Sequence, residues 1–545
     1  MKSNRVVREL TLAGWMVTCS FWPALAVAAD PATQRSSADP IWGELSDYVE
    51  GARVAFDVPG AAVAVIRNGE IEYVEAFGQR ATHAPAQIDL QTRFMIGSVT
   101  KSMTTTLAAA LVDQGEFEWD DAVVEHLPAF ALSNSEWTPL VSLRDVFSHQ
   151  SGVPRRDIQL YVDAPDPLGL IASVTAFPAM APPGVVHEYQ NQVFALGGLA
   201  AVRAAGAGRD DRALGRGYAR LMRSHVFEPL EMDRTTLDFD AAIRDPNHAL
   251  PHGYDAVAAD VTRVPLGFER FATPIAPSGA VWSNIEDMAR YFAMHLREGE
   301  GVDGEQLFPA AELAETHAPH GLVAPGLSYG LGWLLMDTEL GTALGHDGGT
   351  AGFTARVLGL PELDWGVVVL SNRSGGSLLQ EAVLRRAVQL SLGVPLPDDT
   401  DLLALEAETR AAYASLLSLT EPVTPALAAE YAGRYEHNLR VQHAGPYLTL
   451  RTNYGEHRFR ALTGSPGAFL DVDNVLAGAL LLFSSDAQGG DVLSLGIPTS
   501  DGQLTQAVVA ARSAGPGHPH WGRPKIRNLS RLAELRRRCH LRQLD

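Results

Sequence analysis

The chain has 545 residues, 46% of them hydrophobic, which is enough to bury more than one core and excludes an intrinsically disordered polymer. Its 64 Asp and Glu outnumber 43 Lys and Arg, for a formal net charge of -21 that argues against a nucleic-acid partner and is neutral toward small molecules. With only 2 cysteines, Cys19 and Cys539, packing rather than disulfides has to hold the fold.

The first stretch carries Lys2, Arg5 and Arg8, then an apolar run, then small residues at Ala26, Ala28 and Ala29. That is the pattern of a cleavable secretory signal over residues 1–29, so the protein is expected to be exported, either periplasmic or secreted. The apolar run between Glu9 and Pro23 is too short to span a bilayer comfortably, and no later run is long enough. No transmembrane segment is therefore expected in the mature chain.

"AAVAVIRNGEIEYVEAFGQR" reads as two strands joined at Asn68-Gly69, the dipeptide that best supports a two-residue hairpin turn. "GSVTKSMTTTLAAALVDQG" reads as an apolar helix with Ser98 at its beginning and Gly115 as its stop. Two loop-rich stretches follow, "FSHQSGVP" and "APPGVVHEYQNQVFALGGLAAVRAAG", the second leading into another apolar helix. "SNIEDMARYFAMHL" has Ser283 with Glu286 three residues on, a capping-box signature for a helix start. The middle of the chain is therefore mostly helical.

"YGLGWLL", "TALGHDGGTAGFTARVLGL" and "WGVVVLSN" read as successive short strands, with Pro361 to Asp364 as the last turn. Strands at both ends of a helical middle imply one shared antiparallel sheet flanked by helices, with an all-helical subdomain: an α+β main domain over residues 30–399. Residues 400–515 read as a connecting helix and a second, all-β, barrel-like domain. Residues 516–545 form a locally basic tail, expected to be disordered or a short helix.

A serine hydroxyl is a weak nucleophile and needs a base within hydrogen-bond reach, together with donors for the oxyanion formed on attack. Residues three apart on a helix share a face, so a helix opening at Ser98 sets Lys101 beside its Oγ. The helix N-terminus adds N–H groups and positive potential, and burial near Met103 and the Ala108 to Leu111 run would lower the lysine pKa. Alone, S-x-x-K occurs by chance about once or twice in a chain this long, and a helix-capping serine followed by a solvated lysine is then the better explanation.

Two further elements give it company: "YQN" at Tyr189 and Asn191, and "HDG" at His346 and Gly348. In this order and context the sequence resembles the serine β-lactamase and penicillin-binding-protein superfamily, in the branch of class C β-lactamases, D-aminopeptidases, DD-carboxypeptidases and esterases. The resemblance spans about residues 40 to 395. It implies Ser98 as the nucleophile that forms an acyl-enzyme, with Lys101 and Tyr189 as the catalytic partners. A phenol of ordinary pKa near 10 helps only if a nearby cation holds it partly ionised, so which of the pair takes the proton stays open. Asn191 would donate to the substrate or hold Lys101, His346 and Gly348 would border the substrate, and Gly349 would add its N–H to that of Ser98 in an oxyanion hole. His149 and the Ser278-Gly279 pair match the family context and are expected to be scaffold. A second H-x-G, at His443 to Gly445, lies outside this context and is read as chance.

No cofactor or metal is expected: "HEYQN" lacks the second histidine of a zinc helix, and the two cysteines supply no thiolate cage. No G-x-S-x-G surrounds Ser98, which disfavours an α/β-hydrolase elbow. The resemblance implies an exported serine hydrolase acting on a small ester or amide, such as a D-amino-acid peptide. Class C β-lactamases carry lysine where His346 stands, so β-lactamase or DD-peptidase activity is the alternative, and a catalytically idle binding or sensor protein is a third. The C-terminal region resembles a lipocalin-like domain appended to some relatives, through "YAGRYE" and its strand alternation. Sequence leaves substrate identity and oligomeric state open.

Overall fold

The computed structural model describes residues 34–36, 39–162, 165–208, 210, 213–473, 475–476, 478–485, 490–498, 504–513, 526 and 529–539. The secretory-signal reading of residues 1–29 lies outside the described residues. The chain divides into two compact units, and each is taken by itself.

The first unit comprises residues up to Arg155, Pro165–Leu250 and Ala272–Leu403. It is built on a nine-stranded antiparallel sheet: β1 (Gln34–Ser36), β2 (Gly60–Arg67), β3 (Glu70–Gly78), β4 (Gly321–Ala324), β5 (Leu327–Tyr329), β6 (Leu334–Thr338), β7 (Gly341–Gly349), β8 (Thr354–Leu360) and β9 (Trp365–Ser371). The spatial order is β1-β3-β2-β9-β8-β7-β6-β5-β4. The first and last strand groups meet where β2 pairs with β9, Val65 opposite Val367, so one sheet joins both ends of the helical middle. Asn68 and Gly69, both at positive φ, turn β2 into β3 in two residues, the twist a tight hairpin requires.

β2 and β9 are apolar along nearly their whole length because both faces of the sheet are covered. On one face Val63, Val65, Val367 and Val369 pack with helices α1 (Ile41–Ala55) and α5 (Ser377–Leu392) around Trp42 and Trp365. On the other, α4 (Ile285–Leu296) comes so close that a Cβ on Gly366 would lie 2.8 Å from Phe292 and from Leu296. Between the strand groups run helices that include α2 (Thr100–Asp113) and α3 (Asn191–Ala204).

The cap of α4 differs from the sequence expectation. Asn284, not Ser283, is the capping residue, its Oδ1 accepting from Asp287 N at 2.8 Å. Ser283 is taken up by a two-stranded pairing opposite Phe94, and its hydroxyl bonds Thr235. Tertiary pairing moved the helix start by one residue.

The second unit takes Arg156–Ala164 and Pro251–Phe271 from within the 30–399 span, together with the chain from Ala404. Eight consecutive strands from Gly433–Arg434 to Leu504–Ala511 make a curled antiparallel sheet, barrel-like as the sequence implies. A bridge from Tyr435 to Arg512 ties its two ends. The helix Thr400–Ser418 contributes Ala412 and Leu416 to an apolar cluster with Leu470, Leu480 and Leu482. Leu532 of the helix Leu529–Cys539 is buried in the same cluster, so this part of the basic tail belongs to the core of the unit. The second H-x-G lies here: His443 sits in the strand Arg440–Ala444 with its Nε2 near Val423 O. Among the described residues no helix is long and apolar enough to cross a membrane.

Candidate active site

The site begins as a contact between two stretches of main chain. Gly97 has φ +52, and a Cβ there would fall 2.7 Å from Gly349 N. A Cβ on Gly348 would fall 2.0 Å from Ile96 O and 3.2 Å from Ser98 N. The turn around Ser98 therefore lies against the end of β7 with no room for a side chain, and glycine is what permits it. Ser98 occupies a 3-10 turn, Gly97–Val99, and the α-helix itself begins at Thr100, slightly later than the spacing predicts.

Helix α2 is buried from Thr100 to Leu111 although its first half is polar. Its hydroxyls return hydrogen bonds to carbonyls one turn back: Ser102 Oγ to Val99 O at 2.8 Å, Thr104 Oγ1 to Thr100 O at 3.1 Å, Thr106 Oγ1 to Ser102 O at 2.9 Å. Satisfied locally, they can be buried at little cost, and their small size lets α3 approach. Gly198 of α3 sits where a Cβ would meet Thr104.

Lys101 is fully buried. Its Nζ stands 3.1 Å from Ser98 Oγ, 2.6 Å from Asn191 Oδ1 and 2.9 Å from the Ser278 carbonyl oxygen. All three partners are uncharged, so at these contacts no carboxylate pins the amine in its protonated form. Ser98 itself is half-buried and can be approached from solvent. Asn191 opens α3, and Ser278 Oγ donates to Asn191 O at 2.7 Å, which ties the two neighbours of the lysine together.

Tyr189, two residues before Asn191, is half-buried. Lys101 Nζ stands 4.7 Å from its ring centroid and the Arg155 guanidinium carbon 5.1 Å. The rings of Tyr189 and His149 are 4.2 Å apart.

The sequence reading set His346 against the substrate. The ring is instead buried with both nitrogens engaged by the protein. Nδ1 stands 2.6 Å from the Asp347 carbonyl, which can only accept, so Nδ1 carries the proton and Nε2 accepts from Tyr329 Oη at 2.8 Å. Burial, reinforced by the charge of Lys101, pushes the imidazole pKa down to about 4, so the ring is neutral near pH 7. Burial likewise raises the Tyr329 phenol, which stays a donor. Asp347 is clamped by Arg356 through Nε at 2.6 Å and Nη2 at 2.8 Å, which fixes the end of β7.

The structure thus brings Ser98, Lys101 and Asn191 into one hydrogen-bonded group, sets Tyr189 beside it, and packs Gly348 and Gly349 against Ser98. Among the described residues, His346 borders the group through Tyr329, which it bonds, and through Tyr189, whose ring centroid lies 6.3 Å away. Sequence reasoning left Ser278 as scaffold, yet its carbonyl holds Lys101; a main-chain acceptor leaves no trace in residue type. Tyr329 went unnoticed within "YGLGWLL" because only the fold sets it against His346.

A family profile described as Beta-lactamase matches residues 45–390. The chain belongs to the beta-lactamase family. Among members with curated descriptions, it is 26% identical over 356 residues to "Unguisins hydrolase ungD'" of Aspergillus campestris, an alignment covering 63% of each chain. The chain thus spans less than two thirds of that relative. It is 26% identical over 375 residues to "Penicillin-binding protein 4" of Amycolatopsis lactamdurans, covering 66% of this chain and 91% of that one. Among solved structures, the octameric penicillin-binding protein homologue from Pyrococcus abyssi matches with a TM-score of 0.57 at 21% identity, over 83% of this chain and 97% of that one, a likeness of fold.

Proposed function

We propose that this family member is an exported serine hydrolase that acts on a small ester or amide, D-amino-acid peptides among them, through an acyl-enzyme on Ser98. The observation that carries this reading is the 3.1 Å contact between Ser98 Oγ and the Nζ of a fully buried lysine. Relatives described as a hydrolase and a penicillin-binding protein support the reaction class. Export rests on the residue pattern of the first 29 positions.

In acylation, the Ser98 hydroxyl proton passes to the Lys101–Tyr189 pair as Oγ bonds to the substrate carbonyl carbon and the carbonyl oxygen takes up the displaced electron pair. Lys101 Nζ stands 4.7 Å from the Tyr189 ring centroid, and the proton is assigned to the pair rather than to either member. The N–H groups of Ser98 and Gly349 receive the oxyanion. Its collapse expels the alcohol or amine, which takes the proton back, and leaves an ester on Ser98. Water deprotonated by the same pair then attacks that ester, and Ser98 departs with its proton restored. Asn191 and the Ser278 carbonyl hold Lys101 on line for both steps.

His346 bears on substrate choice. A β-lactamase or DD-peptidase gripping a carboxylate through this position would use a cation, and His346 is neutral and buried. That favours esters and amides without a carboxylate there.

The test is stopped-flow hydrolysis of p-nitrophenyl esters and D-alanine p-nitroanilide, beside nitrocefin. A burst of nitrophenol that Ser98→Ala abolishes is expected. Turnover by Ser98→Ala at the wild-type rate would overturn the reading, and nitrocefin as the best substrate would transfer it to the β-lactamase alternative.

A further inference from the structure

His149 combines features that a purely structural residue would avoid. Its backbone is left-handed, φ +59, a region that favours glycine. Its side chain is buried, and among the described residues Nε2 has no hydrogen-bond partner. Nδ1 accepts from Gln190 N at 3.2 Å, so in the neutral ring Nε2 carries the proton and is left as a buried, unanswered donor. Residues held at such cost are candidates for a role beyond packing.

The contacts of His149 converge on one neighbour. Its carbonyl accepts from Glu188 N at 2.8 Å, while its ring accepts from Gln190 N. These amides flank Tyr189 on either side. The His149 ring lies 4.2 Å from the Tyr189 ring and 4.8 Å from that of Tyr329, which in turn bonds His346. The left-handed turn is what lets one residue offer both its carbonyl and its ring nitrogen to the same extended segment.

We infer that His149 is a positioning residue that brackets Tyr189 through the two flanking amides and so sets the phenol beside Lys101. This rests on the reading of Tyr189 as a member of the proton-transfer pair. The bracket works only while Nδ1 keeps its lone pair. Burial holds the imidazole neutral, and Lys101, Arg155 and the neighbouring imidazoles of His187 and His346 all act in the same direction. Nothing on this list would stabilise a protonated ring.

Two variants separate acceptor from ring. His149→Asn keeps an acceptor oxygen at the place of Nδ1 and tolerates a left-handed backbone. His149→Phe keeps a flat ring and loses the acceptor. In the folded full-length chain, amide hydrogen exchange over residues 186–192 should be about tenfold faster in His149→Phe and near wild type in His149→Asn, the effect of one lost hydrogen bond. With a p-nitrophenyl ester, His149→Phe should lower kcat about 10- to 100-fold with KM within about threefold, and His149→Asn should recover most of the loss. Exchange and kcat unchanged in His149→Phe, or equal damage in both variants, would overturn the inference. A wild type that hydrolyses nothing but shows the exchange pattern would uphold the bracket and sink the catalytic reading of Tyr189; one without that pattern would sink both.

Discussion

Asn191 Oδ1 and Lys101 Nζ stand 2.6 Å apart, closer than the lysine stands to Ser98 Oγ or to the Ser278 carbonyl. The carboxamide positions the amine without a charge. Asn191→Asp would put a carboxylate at that distance, which holds the amine as ammonium and cancels the positive charge that favours an ionised Tyr189, so the pair accepts the Ser98 proton less readily. The expected outcome is a loss of about 100-fold in kcat/KM at pH 7, with the activity limb moved toward alkaline pH. A pH-rate profile of the variant checks it, and an unchanged profile would remove Asn191 from the machinery.

Acid should weaken the first unit before it disrupts ordinary carboxylates. His317 and His346 are both pushed down to about 4, chiefly by burial, and His149 and His295 shift the same way. A histidine depressed in the folded state contributes stability that is complete above its unfolded value and is lost as pH falls toward the folded one. From pH 6.5 to 5, His317 and His346 each cost about 2 kcal/mol. Asp287, raised to about 6, works the other way and returns about 1 kcal/mol by pH 5. The denaturant midpoint should therefore fall clearly between pH 7.5 and pH 5.

Gly348→Ala tests the main-chain contact behind Ser98. With Ile96 O only 2.0 Å from the new Cβ, the turn carrying Ser98 or the end of β7 has to move. Misplacing the nucleophile by a fraction of an ångström should cost about 100-fold in kcat, with a stability loss of about 1–3 kcal/mol. Melting temperature and kcat measured together distinguish this from simple unfolding.

Arg385 is nearly inaccessible and joins Asp401 at 2.9 Å and Glu381 at 3.2 Å. Glu381 keeps Arg356 as a second partner, whereas Asp401 would lose the guanidinium that answers both of its oxygens. Arg385→Met should cost about 3–5 kcal/mol by leaving that carboxylate buried and unanswered. Equilibrium denaturation reads it, and activity at low temperature should survive.

What could be read without the fold follows physical range. The Asn68-Gly69 hairpin is a property of two adjacent residues, and the Ser98 to Lys101 proximity is a property of one helical turn. Both were legible. The shared sheet was legible because strand patterns stand at both ends of a helical middle and have to find partners. The exact helix cap was not, since Ser283 and Asn284 are both good caps and only the pairing with Phe94 chooses between them. The burial of His346 was not, because Tyr329 meets it only when β5, β6 and β7 align. The regrouping of residues 156–164 and 251–271 with the second unit is equally a matter of long-range packing.

The central claim is that Lys101 activates Ser98. Intact-mass analysis after treatment with a fluorophosphonate tests it most directly, with the wild type beside Ser98→Ala and Lys101→Ala. The account predicts one adduct on the wild type that both variants lose. No adduct on folded wild type, or full labelling of Lys101→Ala, would contradict it.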